Sequence, residues 1–230
     1  KFRKENFKLQ KDIVSSILNI GMSPFSMQVA TSIVVILINS TLLKHGGDLA
    51  IGAYGIINSL ITLIIMVVLG LNQGTQPIIG YNYGAGNYSR VRETLMYSIK
   101  IASIIASAGA LVAIFFPEIF ANAFTNDTEL KNITVRGIRI TVSALPLVGF
   151  QIVSSSFFQS IGFAAKSLIQ SLSRQLIFLV PAIIILPRVW ELDGLWIAMP
   201  VSDTLAFILS LFLLTSQLKQ LKKMESDNKL

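Results

Sequence analysis

The sequence predicts an all-α integral membrane protein. Of its 230 residues, 53% are apolar and only 13% are charged, whereas about 25% of the residues of a soluble domain carry a charge. The charges are clustered, and the apolar runs between the clusters reach the roughly 20 residues that a helix needs to cross a bilayer. These runs mostly lack the polar stripe of a soluble helix, so a soluble helical bundle is disfavoured.

The charge clusters divide the apolar sequence into six predicted membrane spans, which together form a transmembrane unit over residues 13–217. The basic, polar residues 1–12 are interpreted as a cytoplasmic linker segment, and residues 218–230 as a basic cytoplasmic tail. Several spans exceed the minimum length, and Pro24, Pro146 and Pro200 lie inside spans, which predicts tilts or kinks. The predicted spans are 13–43, 50–80, 95–116, 130–160, 166–187 and 194–216.

The distribution of basic residues predicts the orientation. If the N-terminus is cytoplasmic, most of the 19 Lys and Arg residues fall on the cytoplasmic side, in residues 1–12, 83–100, 162–174 and 219–230. This bias follows the positive-inside rule, and an even number of spans then places both termini in the cytoplasm. The same asymmetry accounts for the net charge of +7. We therefore expect contact with membrane lipid and no nucleic-acid partner.

Motifs for enzymatic chemistry are absent from the sequence. It has no cysteine and one histidine, His45, in a short loop, so no thiolate metal site or disulfide framework is expected. It has no HExxH, GxSxG or phosphate-loop motif. It also lacks the cluster of carboxylates that would hold a metal ion for diphosphate chemistry. The sequence therefore predicts a protein that is not an enzyme and holds no cofactor or metal.

Asp203 is the one acid near the middle of a predicted span. Burial of a carboxylate in a membrane is costly unless the group is paired or neutralised, so such a residue is a candidate cation or proton site. A structural role is the alternative, in which Asp203 pairs with a nearby arginine such as Arg174 or accepts hydrogen bonds from backbone freed by Pro200.

Uncharged polar side chains recur at helical spacing in span 130–160. Gln151, Ser155 and Gln159 stand at i, i+4 and i+8 and share one face, with the aromatic Phe158 beside it. Such a face is suited to line a cavity for amphipathic organic molecules. The alternative is that these residues join neighbouring helices by hydrogen bonds, as Ser, Thr and Gln often do in membranes.

The most distinctive stretch follows the second apolar run. Residues 70–95 read GLNQGTQPIIGYNYGAGNYSRVRETL, with glycines, amides and a proline where an ordinary helix end needs a single Gly or Pro. This density predicts a helix end that bends, packs closely or moves. The stretch strongly resembles the second half of multidrug and toxic compound extrusion (MATE) transporters, and the segments FFQSIGFAAKSL and DGLWIAMPVSD agree with it.

The resemblance implies one six-helix lobe of a twelve-helix, two-lobe transporter, here the C-terminal lobe. The implied function is export of cationic or amphipathic organic compounds by alternating access, coupled to a sodium or proton gradient, in the bacterial cytoplasmic membrane. Its partners would be the N-terminal lobe of the same protein and small organic cations. The resemblance implies cavity roles for Gln28, Asn58 and Gln151, with Ser155 and Phe158 added from the polar face. The motif is assigned a hinge role instead of a binding role, through Gln73, Gln76, Pro77, Gly80 and Gly84.

One departure from the family pattern concerns coupling. Some branches use an acid in each of the helices that correspond to spans 13–43 and 130–160, and neither span has an acid here. We expect the coupling carboxylate to lie in the N-terminal lobe, with Asp203 as a secondary candidate.

Two other functions stay open: a lipid-linked oligosaccharide flippase of the same superfamily, which would need a more basic cavity, and a membrane assembly subunit without transport activity.

Overall fold

The described part of the chain is entirely helical. A computed structural model describes residues 10–227, in which no β-strand occurs. Two short irregular segments, a 3-10 turn at Val142–Ala144 and a π-helical segment at Ser173–Leu179, connect regular helices. The α-helices are α1 Lys11–Gly84, α2 Tyr88–Phe115, α3 Pro117–Phe124, α4 Thr128–Thr141, α5 Leu145–Ser160, α6 Ala164–Leu172, α7 Val180–Ile185 and α8 Pro187–Asp227.

Helix α1 consists of two arms that meet at Gly47. This residue has φ 63° and ψ −161°, a conformation that glycine adopts without the steric cost of a side chain. Val34 and Ile38 from the first arm share a core cluster with Ile57 and Leu60 from the second, so the chain folds back on itself at Gly47. The break lies between the predicted spans 13–43 and 50–80.

Five helical segments of the described residues are long and apolar enough to cross a membrane. The first, Phe25–Gly84, has 60 residues and as a straight helix would measure about 90 Å, three times the hydrocarbon thickness of roughly 30 Å. The break at Gly47 accounts for this length, because each arm can make one crossing. The other segments are Tyr88–Phe115, Thr128–Ser160, Ala165–Ile185 and Pro187–Ser226, at the positions of the remaining predicted spans.

The structure describes only part of each predicted end segment. Residues 1–9 of the proposed linker and 228–230 of the proposed tail lie outside the described residues. Helix α1 already begins at Lys11, and α8 continues through most of the tail to Asp227. In α8, Leu221 is fully buried while Lys219, Lys222 and Lys223 are exposed. The tail is therefore an amphipathic extension of the last helix.

Pro146 explains the 3-10 turn at Val142–Ala144. Pro146 has no N–H to donate to the carbonyl of Val142, and its ring crowds that carbonyl. The chain accommodates this with the 3-10 turn at Val142–Ala144, which separates α4 from α5 within the predicted span 130–160. In contrast, α8 continues as a helix through Pro200.

The glycine-rich motif is a regular helix for most of its length. Helix α1 departs from helical geometry at Gly47 and continues through Pro77 to its last residue, Gly84. The reversal into α2 uses Gly86, at φ 74°. Gly80 marks a close approach to α5, because a methyl group on its Cα would lie 3.2 Å from the carbonyl oxygen of Ser160. Close packing is thus present at Gly80, and the hinge role of the motif stays a prediction.

The buried apolar side chains form two main clusters at opposite ends of the bundle. One is near the Gly47 end and contains Ile57, Ile138 and Trp196. The other is near the Gly86 end and contains Leu95, Phe157 and Leu221. Many other large apolar side chains are exposed on the outside of the bundle, which is the surface expected of a helix bundle that faces lipid. Buried polar side chains, among them Gln151, Gln170 and Asp203, accompany these apolar clusters.

Gly149 makes a tight contact between α2 and α5. A methyl group on its Cα would lie 2.9 Å from the carbonyl oxygen of Ala102 and 3.2 Å from the Cβ of Ala106. We expect Gly149→Ala to push the two helices apart and lower the free energy of unfolding by about 1–3 kcal/mol. The thermal unfolding of the purified protein in detergent micelles measures this effect.

Gly55→Ala is the matched control, because nothing lies within 4 Å of a methyl group at that position. Alanine is a better helix former than glycine, so the control should unfold at the same temperature as the wild type or slightly higher. An equal loss of stability in both variants would contradict the close contact of α2 with α5.

Candidate functional site

A polar cavity lies between the two core clusters. This first cavity has a volume of about 360 Å³ and is bounded by both arms of α1, by α5, by α6 and by the π-helical segment. Four apolar side chains (Met27, Leu69, Val148 and Ile152) and several hydroxyl groups contribute to the wall. The largest group on the wall is formed by amide side chains, which are Asn72, Gln73, Gln76, Gln151, Gln159, Gln170 and Gln175.

The predicted polar face of α5 serves both of the roles left open by the sequence. Gln151, Ser155 and Gln159 all line the first cavity. The same side chains join α5 to the next helix, because the Ser155 hydroxyl lies 2.8 Å from the Ser167 hydroxyl and Gln159 Nε2 donates to Ser167 Oγ at 2.9 Å. The face is therefore a helix contact at its edge and a cavity wall where it is open.

Gln151 connects three elements. Its Nε2 donates to the backbone oxygen of Asp203 in α8 at 2.8 Å, and its own backbone oxygen accepts from Gln170 Nε2 at 3.1 Å. Only 5% of Gln151 is exposed. This residue therefore holds the cavity wall together, and its amide is already engaged on the side that faces α8.

The glutamines of the glycine-rich motif also line the first cavity. Gln73 and Gln76 line the same space as Gln151 and Ser155, although sequence reasoning assigned the motif to a hinge and not to a binding site. Pro77, Gly80 and Gly84 are on neither cavity wall. The motif thus combines two parts: glutamines on the cavity side, and a proline and glycines that shape the helix and its packing.

A second cavity of about 350 Å³ lies closer to the Gly47 end of the bundle. Asn58, Tyr54, Thr31, Thr141 and Asp203 are on its wall. Of the predicted cavity residues, Asn58 therefore belongs to the second cavity, while Gln151 and Ser155 belong to the first.

The remaining two predicted cavity residues line neither space. Gln28 is exposed on the first arm of α1 and is absent from both walls. Phe158 is fully buried, and its ring centroid lies 5.5 Å from that of Phe157 in the core cluster near Gly86. We correct the placement of Phe158 to the core, because its position beside the polar face of α5 turns it toward the neighbouring helices.

Asp203 forms an ion pair with Arg174. Arg174 Nε donates to Asp203 Oδ1 at 2.6 Å, and the side chain of Asp203 is 7% exposed while that of Arg174 is 34% exposed. The pairing with Arg174 that the structural alternative predicted is therefore present, and the role of Asp203 as a cation or proton site stays a prediction. Arg174, Val148 and Gln175 line both cavities, so the pair stands at the boundary between them.

Sequence reasoning missed the cavity residues of the fifth predicted span. Gln170, Ser171, Arg174 and Gln175 all line the first cavity, and Gln175 Nε2 also donates to Thr31 Oγ1 at 3.0 Å. Their spacing of one, four and five residues places them on one helix face. The same pattern that identified α5 was present in this span and would have indicated its cavity side.

Within residues 10–227, no group of three or more His, Cys, Asp or Glu side chains is arranged to hold a metal ion. The cavity walls instead offer amide, hydroxyl and guanidinium groups beside apolar surface. This arrangement can hydrogen-bond to an organic molecule and bury its apolar part, which is the usual composition of a small-molecule site.

A helical membrane bundle with cavities of this kind agrees with the protein family that the chain matches. The model of the MatE family matches residues 24–184, which is more than half of the chain. The chain belongs to the MatE family. Family membership supports the expectation that the protein is not an enzyme, because similar proteins are named for multidrug export or transport.

Two curated relatives of this MatE chain are multidrug export proteins named MepA. The protein of Staphylococcus haemolyticus (strain JCSC1435) is 22% identical over 215 residues, which cover 94% of this chain and 47% of the relative. That of Staphylococcus aureus (strain MSSA476) is 24% identical over 220 residues, with 92% of this chain and 47% of the relative covered. The chain thus spans about half the length of these relatives.

Solved structures also match almost all of this chain with about half of their own length. A multidrug resistance MATE family transporter of the MOP superfamily in an inward-facing conformation matches with a TM-score of 0.86 and 26% identity, covering 96% of this chain and 51% of that one. A multidrug resistance MATE family transporter of the MOP superfamily in an outward-facing conformation also gives 0.86 and 26%, with 97% and 50% covered. A MOP superfamily transporter from Pyrococcus furiosus, described as having a binding pocket of reverse polarity that suggests a different function, gives 0.85 and 26%, with 96% and 50% covered. This MatE chain has the fold of one half of such transporters.

The ion pair provides a stability test. Asp203→Ala leaves the charge of Arg174 without its partner inside the bundle, and we expect the free energy of unfolding to fall by about 3 kcal/mol. Denaturation of the purified protein in detergent measures the loss.

Asp193→Ala is the matched control. Asp193 pairs with Arg136, whose side chain is 69% exposed, and an exposed pair contributes at most about 1 kcal/mol. If both alanine variants lost the same small amount of stability, the Arg174–Asp203 pair would not be a buried structural element.

Proposed function

We propose that the chain is the C-terminal half of a cation-coupled multidrug export transporter. In this proposal, six membrane spans form one lobe, the N-terminal lobe of the same protein forms the other, and organic compounds are exported by alternating access. The substrates are cationic or amphipathic compounds, and the protein resides in the bacterial cytoplasmic membrane with both termini in the cytoplasm. Family membership, the names of the relatives and the half-length coverage support it.

The observation that carries the proposal is the amide-lined first cavity. Amide groups donate and accept hydrogen bonds, so the same wall can satisfy molecules with different polar groups. Leu69, Val148 and Ile152 offer apolar surface beside these amides. A wall of this composition suits a transporter that handles several amphipathic compounds better than one that selects a single substrate.

The coupling cation is proposed to be sodium or a proton that binds in the N-terminal lobe. Asp203 is the one acid on the walls of the two cavities, and its Oδ1 already accepts from Arg174. A carboxylate paired with a guanidinium can bind a coupling cation only when the pair opens. Asp203 is therefore the weaker candidate for coupling.

Two other functions are less well supported. A flippase for lipid-linked oligosaccharides would need several cations for a pyrophosphate group, yet Arg174 is the one basic residue on the two cavity walls. Arg139 is exposed and lines neither of these two cavities. A non-transporting assembly subunit would not need two polar cavities inside the bundle.

Ethidium efflux from bacteria that express the complete transporter containing this chain tests the proposal. We expect energised cells to export ethidium faster than cells with the empty vector, and expect a protonophore or removal of sodium to reduce the export. Normal membrane insertion without any export would contradict the proposed function. Export of labelled lipid-linked oligosaccharide instead of ethidium would support the flippase.

A cavity variant makes the test specific to this half. Gln76→Ala removes a hydrogen-bonding group from the first cavity and should lower ethidium efflux roughly twofold to tenfold at equal expression. Gln220→Ala is the matched control, because Gln220 is exposed near the end of α8, and it should leave efflux unchanged. Equal effects of the two variants would exclude the first cavity as the substrate site.

A coupling variant distinguishes the two lobes. Asp203→Asn removes the negative charge but keeps an oxygen that can accept from Arg174 Nε. If the coupling carboxylate lies in the N-terminal lobe, this variant should retain most of the ethidium efflux and its dependence on the ion gradient. Complete loss of gradient-driven efflux at normal membrane levels would assign coupling to Asp203.

A further inference from the structure

The guanidinium of Arg174 has most of its hydrogen-bond donors unused. A guanidinium carries five N–H groups, and within residues 10–227 the one acceptor recorded for it is Asp203 Oδ1, which binds Nε. The side chain is 34% exposed and forms part of both cavity walls. Donors inside a membrane bundle need acceptors, so these N–H groups are available to a molecule in the cavity.

The first cavity has a positive charge without a negative one on its wall. Arg174 is its single charged wall residue, whereas Asp203 lines the second cavity and is absent from the first wall. The rest of the first wall is neutral, with amide, hydroxyl and apolar side chains. An anionic group in this space therefore meets the Arg174 guanidinium directly, while the carboxylate of Asp203, which partly offsets its charge, lies on the wall of the second cavity.

The surrounding structure holds Arg174 in place before any ligand arrives. Arg174 belongs to the π-helical segment Ser173–Leu179, an irregularity that is frequent at functional sites in helices. Its partner Asp203 is fixed through its backbone oxygen by Gln151 Nε2 at 2.8 Å. The next residue, Gln175, donates to Thr31 in the first arm of α1. A guanidinium held in this way loses little freedom when it binds an anion.

We propose that the first cavity binds amphipathic organic molecules that carry a carboxylate, with the Arg174 Nη groups donating to that carboxylate. Leu69, Val148 and Ile152 contact the apolar body of the molecule, and Gln73 and Gln76 bind its other polar groups. This inference rests on the proposed export function and states which of the proposed amphipathic substrates the first cavity favours, namely those that carry a carboxylate. The residue acts as a specificity determinant within the cavity of this half.

A carboxylate fits this site better than a phosphate. The end of a guanidinium presents two parallel N–H groups that match the two oxygens of one carboxylate. A phosphate monoester carries close to two charges at neutral pH, and the first wall offers no second cation. The volume of about 360 Å³ lies within the range of pockets for drug-sized molecules.

Two fluorescent dyes that differ by one methyl ester test the inference. Rhodamine 110 carries a free carboxylate, and rhodamine 123 is its methyl ester. Their binding to the purified complete transporter is measured by fluorescence polarisation at pH 7. We expect the wild type to bind rhodamine 110 at least about tenfold more tightly, the effect of a hydrogen bond between charged groups. Equal affinity, or a preference for the ester, would overturn the inference.

Arg174→Gln should remove the preference by weakening rhodamine 110 binding about tenfold while rhodamine 123 binding changes less than about twofold. Because this variant leaves Asp203 unpaired, the double variant Arg174→Gln with Asp203→Asn removes both charges and should show the same loss. Arg139→Gln is the matched control for charge, because Arg139 is exposed and lines neither cavity. This control should retain the preference for rhodamine 110. A preference that persists without Arg174 would refute its role.

Asp203→Asn separates recognition from structural support. This variant keeps Arg174 and should retain or increase the preference for rhodamine 110, because the guanidinium no longer shares its charge with a carboxylate. If Asp203→Asn and Arg174→Gln instead weakened both dyes by the same factor, the ion pair would be structural and the inference would fail.

Ethidium efflux by the same transporter distinguishes failure of this inference from failure of the proposed function. Export of ethidium together with equal binding of the two rhodamines would overturn the carboxylate specificity and leave the export function standing. Absence of ethidium export together with absence of rhodamine binding would overturn the export function and the specificity that depends on it.

Discussion

The ion pair between Arg174 and Asp203 is the interaction on which the polar interior depends. It brings two full charges into the space between the core clusters, where either charge alone would be costly. The carboxylate is almost completely buried and the guanidinium is partly open to the cavities. The pair thus joins the π-helical segment to α8 and presents one positive group at the boundary of the two cavities.

The hydrogen bonds of the neighbouring residues follow from the same constraint. Within the described residues, every buried side-chain nitrogen and oxygen has a hydrogen-bond partner. Such partners are required inside a membrane because lipid tails cannot form the hydrogen bonds that water would form. Gln151 donates from its side chain to the backbone oxygen of Asp203 in α8, and its own backbone oxygen accepts from the Gln170 side chain in α6. Ser155 bonds to Ser167 and Ser171. The polar groups that remain open on the cavity side are therefore the ones available to a ligand. Helix association and cavity formation use the same side chains.

Much of the architecture was predictable because hydropathy and backbone chemistry act locally. The apolar runs and the charge clusters predicted the helical segments, and the boundary between the predicted spans 13–43 and 50–80 contains the fold-back within α1. The amide periodicity of α5 identified a polar face for the same reason. Phe158 was misplaced because spacing along one helix does not specify which neighbouring helix packs against each flank. Gln73 and Gln76 were assigned to a hinge because the glycines around them dominated the local pattern.

By itself, the sequence determined that this chain is a multi-pass helical membrane protein of the MatE type, because composition, span length and a distinctive motif are properties of the chain in one dimension. The tertiary structure decided which polar residues meet. It brought Gln76 of α1, Ser155 of α5 and Arg174 of the π-helical segment to one cavity wall, and it paired Arg174 with Asp203, 29 residues away. That outcome depends on how each helix is rotated about its axis, which packing against several neighbours sets together.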